Sequence, residues 1–322
     1  MSWNTIESDA GVFTQLVKDL GVEGVQFEDV PFFDALAENP KSLYGVIFLF
    51  KYDPLSYSKD APVQGTYDFD YPNSLFFAKQ TIQNACGTQA VLNMLLSIHS
   101  DYRDIRLGET LTNFLEFTSS FQDPDLRGET ISNSEQIRNV HNSFTCPDPF
   151  IQESLGDDKG TEQEEVFHFV SFIQHNGYIY ELDGLQPAPI IHQAFGNDNN
   201  NSENFARNLI SLLQQRIQKM SGVNGKFSVI SIVRDRIEYL NEQLQLDDSN
   251  QYEYQGLLNY ELDKREAWTK ELAMRRQNLY GLVFEMLKQV TSTMSEDEFD
   301  ERISMAQQTT FKRIQDKYQK RG

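Results

Sequence analysis

Two adjacent residues, Asn176 and Gly177, constrain this chain more than any other feature of its 322 residues. An Asn-Gly pair tolerates the left-handed backbone that a two-residue hairpin turn demands. It stands between two strand-like runs, Val166–Ile173 and Tyr178–Leu182. A two-residue loop pairs His175 with Tyr178, which sets Asp183 opposite Val170 and His168 diagonally across from Asp183 on one face of the sheet. A four-residue loop would make His168 and Asp183 direct partners. A three-residue loop would send them to opposite faces.

Other strand-like runs surround this hairpin. Gly45–Tyr52 and Ser74–Ala78 read as buried strands, and Phe227–Val233, rich in Val and Ile, as a last one. Helical spacing marks Ala90–Ile98 and Ala206–Met220, so residues 1–233 form a mixed α/β region. After Val233 the pattern becomes wholly helical. Ile237, Leu240 and Leu244 recur at helical spacing, Asp247–Asn250 interrupts them, and Leu257–Val290 resumes the pattern. Residues 234–322 are therefore expected to be an α-helical C-terminal extension. Its stripe of Leu279, Leu282, Val283, Met286, Leu287 and Val290 serves internal helix packing, its commoner use, or a partner.

Charge narrows the partners. The chain carries 28 Lys+Arg against 48 Asp+Glu, a formal net charge of −20, of which −17 falls on residues 1–227. Nucleic acid and anionic membrane both require clustered basic residues, so a basic protein surface is the expected target. Two cysteines cannot build a disulfide framework, which fits a reducing compartment. The longest apolar run, Gly45–Phe50, is far short of the roughly 20 residues of a membrane span, and no secretory leader is read at the N-terminus. A cytoplasmic and nuclear protein is expected.

The segment with most chemistry is Lys79-Gln80-Thr81-Ile82-Gln83-Asn84-Ala85-Cys86-Gly87-Thr88-Gln89-Ala90. A strand-like run ends near Gln80, and a helix with Ala90, Val91, Met94, Leu95 and Ile98 on its apolar face follows Cys86. A cysteine at a helix N-terminus meets the positive end of the helix dipole, which favours the nucleophilic thiolate. His168 can serve it as a base, with Asp183 orienting the imidazole, a Cys–His–Asp relay of the papain-like kind. Gln80 can donate to a developing oxyanion beside the Cys86 amide, although taken alone it reads as an ordinary amide at a strand end. His99, His175 and His192 read as structural or solvated, and His141 as packed near the site. Cys146 sits in a Cys-Pro-Asp-Pro loop without a base. No metal-ligand spacing and no glycine-rich phosphate loop occurs, so neither metal nor cofactor is expected. From Cys146 to Glu165 the chain offers Pro, Gly and a run of acids, a long loop leading into the His168 strand and placed to act as a lid.

These motifs resemble the ubiquitin C-terminal hydrolases. The resemblance rests on Gln80 with Asn84-Ala85-Cys86-Gly87-Thr88-Gln89-Ala90, on Phe167-His168-Phe169-Val170, on Tyr180-Glu181-Leu182-Asp183-Gly184, and on the opening Trp3…Ile6–Thr14. It implies a papain-like, knotted α/β fold with a central antiparallel sheet flanked by helices. It also implies Cys86 as nucleophile, His168 as general base and acid, Asp183 as its orienter and Gln80 as oxyanion donor. The substrate would be ubiquitin, and the Cys146–Glu165 segment would be the loop through which its C-terminus passes. Arg275–Tyr280 with Met286-Leu287-Lys288 is similar to the extension of the family's long, proteasome-associated branch, which implies docking on a proteasomal ubiquitin receptor or a chromatin-remodelling complex. From Gln307 onward the tail departs from the Lys/Ala-rich end of that branch. The alternative to a hydrolase is a ubiquitin-binding adaptor that is silent without a partner.

Overall fold

Asn176 and Gly177 both adopt positive φ, 50° and 78°, and the turn they make joins two antiparallel strands paired from His175↔Tyr178 to Ser171↔Leu182. The two-residue register is the one the chain adopts. The computed structural model describes residues 3–52, 62–145, 167–195, 201–220, 227–246 and 249–319. The segment from Cys146 to Glu165, and Cys146 with it, lies outside the described residues, as do Asp247-Asp248 and the start of the Asn-rich stretch near 197.

Among the described residues the elements run α1 (Ala10–Asp19), β1 (Val25–Asp29), β2 (Leu43–Lys51), β3 (Thr66–Tyr67), α2 (Cys86–Ile98), α3 (Gly108–Thr118), α4 (Pro124–Asn133) and α5 (Glu135–Asn142). They continue with β4 (Phe167–His175), β5 (Tyr178–Leu182), β6 (Ile190–Ala194), α6 (Asn201–Met220), β7 (Phe227–Arg234), α7 (Arg236–Leu246), α8 (Gln251–Arg275), α9 (Tyr280–Ser292) and α10 (Glu296–Gln319). The strands form one sheet ordered β1-β7-β2-β4-β5-β6-β3, antiparallel at every pairing. Each face buries its own core. Phe13, Phe27, Ile47, Ile173 and Leu182 pack with α1 and α2 on one side; Phe48, Val170, Phe172 and Val229 pack with Phe205 and Leu209 of α6 on the other.

Helix α2 departs from the amphipathic helix expected after Cys86. Every residue from Gly87 to Ile98 is buried, its polar ones included, which is the signature of a central helix rather than a surface one. Residues 74–78, expected as a strand, belong to no sheet. Ser74 closes a turn on Tyr71, and backbone groups beyond it are taken by α2 side chains: Ser97 Oγ donates to Phe76 O (2.7 Å), and Asn93 Oδ1 accepts from Ala78 N (2.9 Å). Buried backbone groups must be paired, and here a helix face supplies what a neighbouring strand would.

The expected boundary at 233/234 does not coincide with the division between compact units. The chain divides into compact units of residues 1–276 and 277–322, so α7 and α8 belong to the larger one. Trp268 of α8 lies over Gly11 of α1 so closely that a Cβ at Gly11 would come within 2.8 Å of the indole. Buried Gln26 bonds Glu261 (3.3 Å) and Arg265 (2.5 Å) of α8, and Arg265 continues to Asp235 at 2.8 Å. The smaller unit consists of α9 and α10. The helical pattern expected to run unbroken from Leu257 to Val290 is interrupted after Arg275, and all six apolar residues of the α9 stripe are exposed rather than packed inside.

A chain ending at Arg276 is therefore expected to keep the thermal midpoint of the larger unit. One ending at Asp235 exposes the α1 face and the Gln26 cluster, and its midpoint should fall by roughly 5–10 °C, as a loss of ~2–3 kcal/mol would produce in a unit of this size. Scanning calorimetry of the two truncations distinguishes the boundaries. Equal midpoints would restore the division at 233.

Candidate active site

Of the four residues singled out from sequence, His168 and Asp183 are bonded to each other, Gln80 is tied to Gly184 beside Asp183, and Cys86 opens α2. Cys86 is the first residue of α2, entered from a 3-10 turn over Gln83–Ala85. Its thiol is the more exposed end of an otherwise buried helix. Burial raises the thiol to about 11, against the opposing pull of the backbone amides of Gly87 and of Cys86 itself. The dipole effect expected from sequence is present in those two amides, but burial outweighs it. Burial and those two amides are the causes of the shift; an adjacent imidazolium would act in the opposite sense to burial and favour the thiolate.

His168 and Asp183 form the diagonal pair that the hairpin register dictates. Nε2 lies 2.6 Å from Asp183 Oδ1, and both side chains are almost wholly buried, at 3% and 1% exposure. A carboxylate only accepts, so Nε2 carries the proton and Nδ1 is the basic nitrogen of the neutral ring. Asp183 Oδ1 also accepts from the Leu185 amide at 2.9 Å, which fixes the carboxylate in turn. The rings of Phe50 and Tyr52 stand edge-on to the imidazole at 5.8 and 5.9 Å. Phe50 is there because β2 and β4 pair Phe50 with His168.

Gln80 follows the segment that α2 side chains hold. Its N–H donates to Gly184 O at 2.8 Å, which binds it to the residue after Asp183. A side chain at 184 would press on Gln80, since a Cβ there would lie 3.1 Å from the Gln80 Cβ. Lys79 N donates to Pro124 O at 2.9 Å, closing the other side of the segment.

Of the remaining histidines, His141 stands nearest this chemistry. Its Nε2 donates to Asn4 O (2.6 Å) and its Nδ1 accepts from Thr88 Oγ1 (2.7 Å), two residues beyond Cys86. A carbonyl cannot donate, so the tautomer is settled, and burial lowers the imidazole's pKa and keeps it neutral. Asn84, two residues before Cys86, donates to Trp3 O at 3.0 Å. The N-terminal segment is thereby tied to both flanks of the cysteine. His192, for which sequence offers no partner, bonds the fully buried Glu181 at 2.9 Å, and Arg216 takes that carboxylate's other oxygen at 2.9 Å. The hint that sequence reading passes over is an acid at 181 inside an apolar strand, two residues before Asp183. His175 meets Asp101 at 3.2 Å and His99 its own helix at Leu96 O. Among the described residues no group of three His, Cys, Asp or Glu side chains is placed to hold a metal ion.

A thiol at a helix start and an imidazole with its proton fixed by a buried carboxylate are parts of covalent acyl transfer, and Gln80, tied to the residue after that carboxylate, is a candidate amide donor. Comparison with known proteins points the same way. Residues 3–218 match the family described as ubiquitin carboxyl-terminal hydrolase, family 1. The chain is 41% identical over 290 residues to ubiquitin carboxyl-terminal hydrolase 2 of Schizosaccharomyces pombe, covering 89% of this chain and 90% of that one. It is 36% identical over 299 residues to ubiquitin carboxyl-terminal hydrolase ubh-4 of Caenorhabditis elegans, covering 89% and 87%. Among solved structures it is similar to Trichinella spiralis UCH37 bound to ubiquitin vinyl methyl ester, with a TM-score of 0.64 and 30% identity over 83% of this chain and 99% of that one.

A thiol held up to about 11 is almost wholly protonated at neutral pH, and its thiolate fraction grows tenfold per pH unit below that value. Alkylation of Cys86 by iodoacetamide, followed by peptide mass spectrometry, is expected to speed up about tenfold per unit between pH 7 and 9. A rate flat over that range would reveal a thiolate–imidazolium pair in the free protein.

Proposed function

This chain belongs to the ubiquitin carboxyl-terminal hydrolase family 1, and from that premise we propose that Cys86 is the nucleophile, His168 the general base and acid, Asp183 its orienter and Gln80 an oxyanion donor. The protein is a thiol-dependent ubiquitin hydrolase, a deubiquitinase. His168 Nδ1 takes the thiol proton as the sulfur attacks the carbonyl carbon of ubiquitin's terminal glycine. The tetrahedral oxyanion is met by the Gln80 side-chain amide and the Cys86 N–H. The imidazolium returns its proton to the departing amine, leaving an acyl thioester and neutral His168. Water, deprotonated by the same nitrogen, then displaces the sulfur and frees the ubiquitin carboxylate.

The observation that carries this reading is the buried 2.6 Å bond from His168 to Asp183. It leaves only Nδ1 to act as base and supplies a negative charge to steady the imidazolium. The raised thiol of Cys86 favours a resting enzyme whose nucleophile is charged only when substrate brings thiol and imidazole together. Attraction of a basic ubiquitin surface is in keeping with the net charge of −17 on residues 1–227.

The finer assignment concerns partners. We propose that the α9–α10 unit docks on a proteasomal ubiquitin receptor, or on a subunit of a chromatin-remodelling complex, and that the protein works in cytoplasm and nucleus. The support is a groove of about 570 Å3 within that unit, walled by Phe284, Leu287, Val290, Phe299 and Ile303 and flanked by Lys288 and Arg302. A continuous exposed apolar surface of this kind marks a binding face.

Release of a fluorophore from the ubiquitin C-terminus tests the site. Cys86→Ala and His168→Ala are expected to abolish turnover, and Gln80→Ala to lower kcat by ~100–1,000-fold with little change in KM. A wild-type protein that binds ubiquitin without any turnover, with and without cell extract, would establish the adaptor instead. For the partner, Leu282→Glu with Leu287→Glu is expected to abolish co-purification with the proteasomal receptor while turnover of the small reporter stays unchanged. Retained co-purification would remove α9 from the docking surface.

A further inference from the structure

We propose that Asn93 is a positioning residue for the hydrolysis, holding the Gln80 oxyanion donor at a set distance from Cys86. The inference rests on the role assigned to Gln80 above. Cys86, Gln89, Asn93 and Ser97 are spaced +3, +7 and +11 along α2, which puts all four on one stripe of the helix. The last three are buried at 4%, 0% and 3% exposure. Burying three polar side chains along one stripe of a helix is costly unless each is bonded.

Each is bonded to the same segment. Asn93 makes a reciprocal pair with a single residue, accepting from Ala78 N at 2.9 Å and donating to Ala78 O at 3.0 Å. Gln89 adds a second donor to Ala78 O at 2.9 Å, and Ser97 holds Phe76 O at 2.7 Å. The two-way exchange at Ala78 is the one a neighbouring strand would make, in a segment that no strand accompanies. Gln80 follows two residues later, at most ~7 Å along the chain, and its own amide is tied to Gly184 beside Asp183.

The helix face that presents the thiol thus also carries the clamp on the oxyanion donor, and the far end of the donor segment is fastened to the turn that carries the histidine's carboxylate. Helix α2 joins the nucleophile to this clamp; hydrogen bonds join the clamp to the donor segment and that segment to Gly184 beside the orienter. Among the described residues Asn93 is the side chain shown both giving to and taking from the donor segment. Displacements well below 1 Å in such a frame matter, because an oxyanion donor works only where charge develops.

The test separates positioning from folding. Asn93→Leu removes the reciprocal pair at similar volume, and Gln89→Met removes only the second donor to Ala78 O. With the ubiquitin–fluorophore reporter, Asn93→Leu is expected to lower kcat by ~10–100-fold with KM within threefold, and Gln89→Met by less. Trapping by ubiquitin vinyl methyl ester should persist within about threefold of wild type. There the thiolate sulfur bonds to the vinyl carbon, the double-bond electrons move to the adjacent carbon, and a proton from the imidazolium completes the adduct. No tetrahedral oxyanion forms at the glycine carbonyl position, so Gln80 has nothing to stabilise.

In a Gln80→Ala background, Asn93→Leu should change kcat by less than about twofold, since a residue acting through Gln80 has nothing left to act upon. Equal loss of turnover and trapping, or full additivity with Gln80→Ala, would make Asn93 merely structural and overturn the proposal. Unchanged kcat in Asn93→Leu, with Gln80→Ala impaired, would overturn it too and leave the role of Gln80 standing. Full turnover in Gln80→Ala would bring down the oxyanion role itself.

Discussion

The left-handed backbone of Asn176 and Gly177 sets the parity of β4 against β5, and parity is what brings His168 to Asp183. Side chains on a strand alternate faces, so a turn longer by a single residue would point the carboxylate away from the imidazole while leaving the sheet's hydrogen bonds nearly intact. The rest of the sheet reinforces the choice. β2 pairs with β4 on its other side and places Phe50 across from His168, and the Leu185 amide holds the carboxylate oxygen that the imidazole uses. Register is enforced from both neighbours, so the imidazole's geometry is a property of the sheet rather than of a loop.

The cysteine half of the site is built on a different principle. α2 is a buried helix whose polar stripe does the work of a strand partner, and the thiol occupies the one end of that stripe that reaches solvent. Two opposing effects meet there. Helix-terminal amides favour the thiolate, burial disfavours it, and burial wins by enough to lift the thiol to about 11. The histidine half is held by the sheet and a buried carboxylate, whereas the cysteine half is set by the balance of burial against helix-terminal amides. Such a division suits a hydrolase whose substrate is itself a folded protein able to reshape its surroundings on binding.

Much of this was legible in the sequence, and the residues show why. The Asn-Gly turn and the strands on either side of it are local signals, and they carried the hairpin, its register and the His168–Asp183 pair. Cys86 was legible because a helix start is also local. What escaped depends on contacts distant in sequence. Residues 74–78 have the composition of a strand, but Asn93 and Ser97 take hydrogen bonds there, and composition cannot say which partner does so. The break at Val233 is a change in pattern and not a boundary between units, because Trp268 seats on Gly11 and Arg265 on Gln26, more than 230 residues away in the latter case. The ion network of Glu181, His192 and Arg216 is invisible for the same reason. Its members are scattered over β5, β6 and α6 and meet only once the sheet has formed.

The raised thiol has a consequence for survival of the enzyme between turnovers. Peroxide attacks a thiolate and hardly touches a protonated thiol, so a cysteine that stays protonated at neutral pH is slow to enter the sequence from sulfenic to sulfinic and sulfonic acid. With burial holding the thiol up, the nucleophile of the free protein is expected to oxidise slowly.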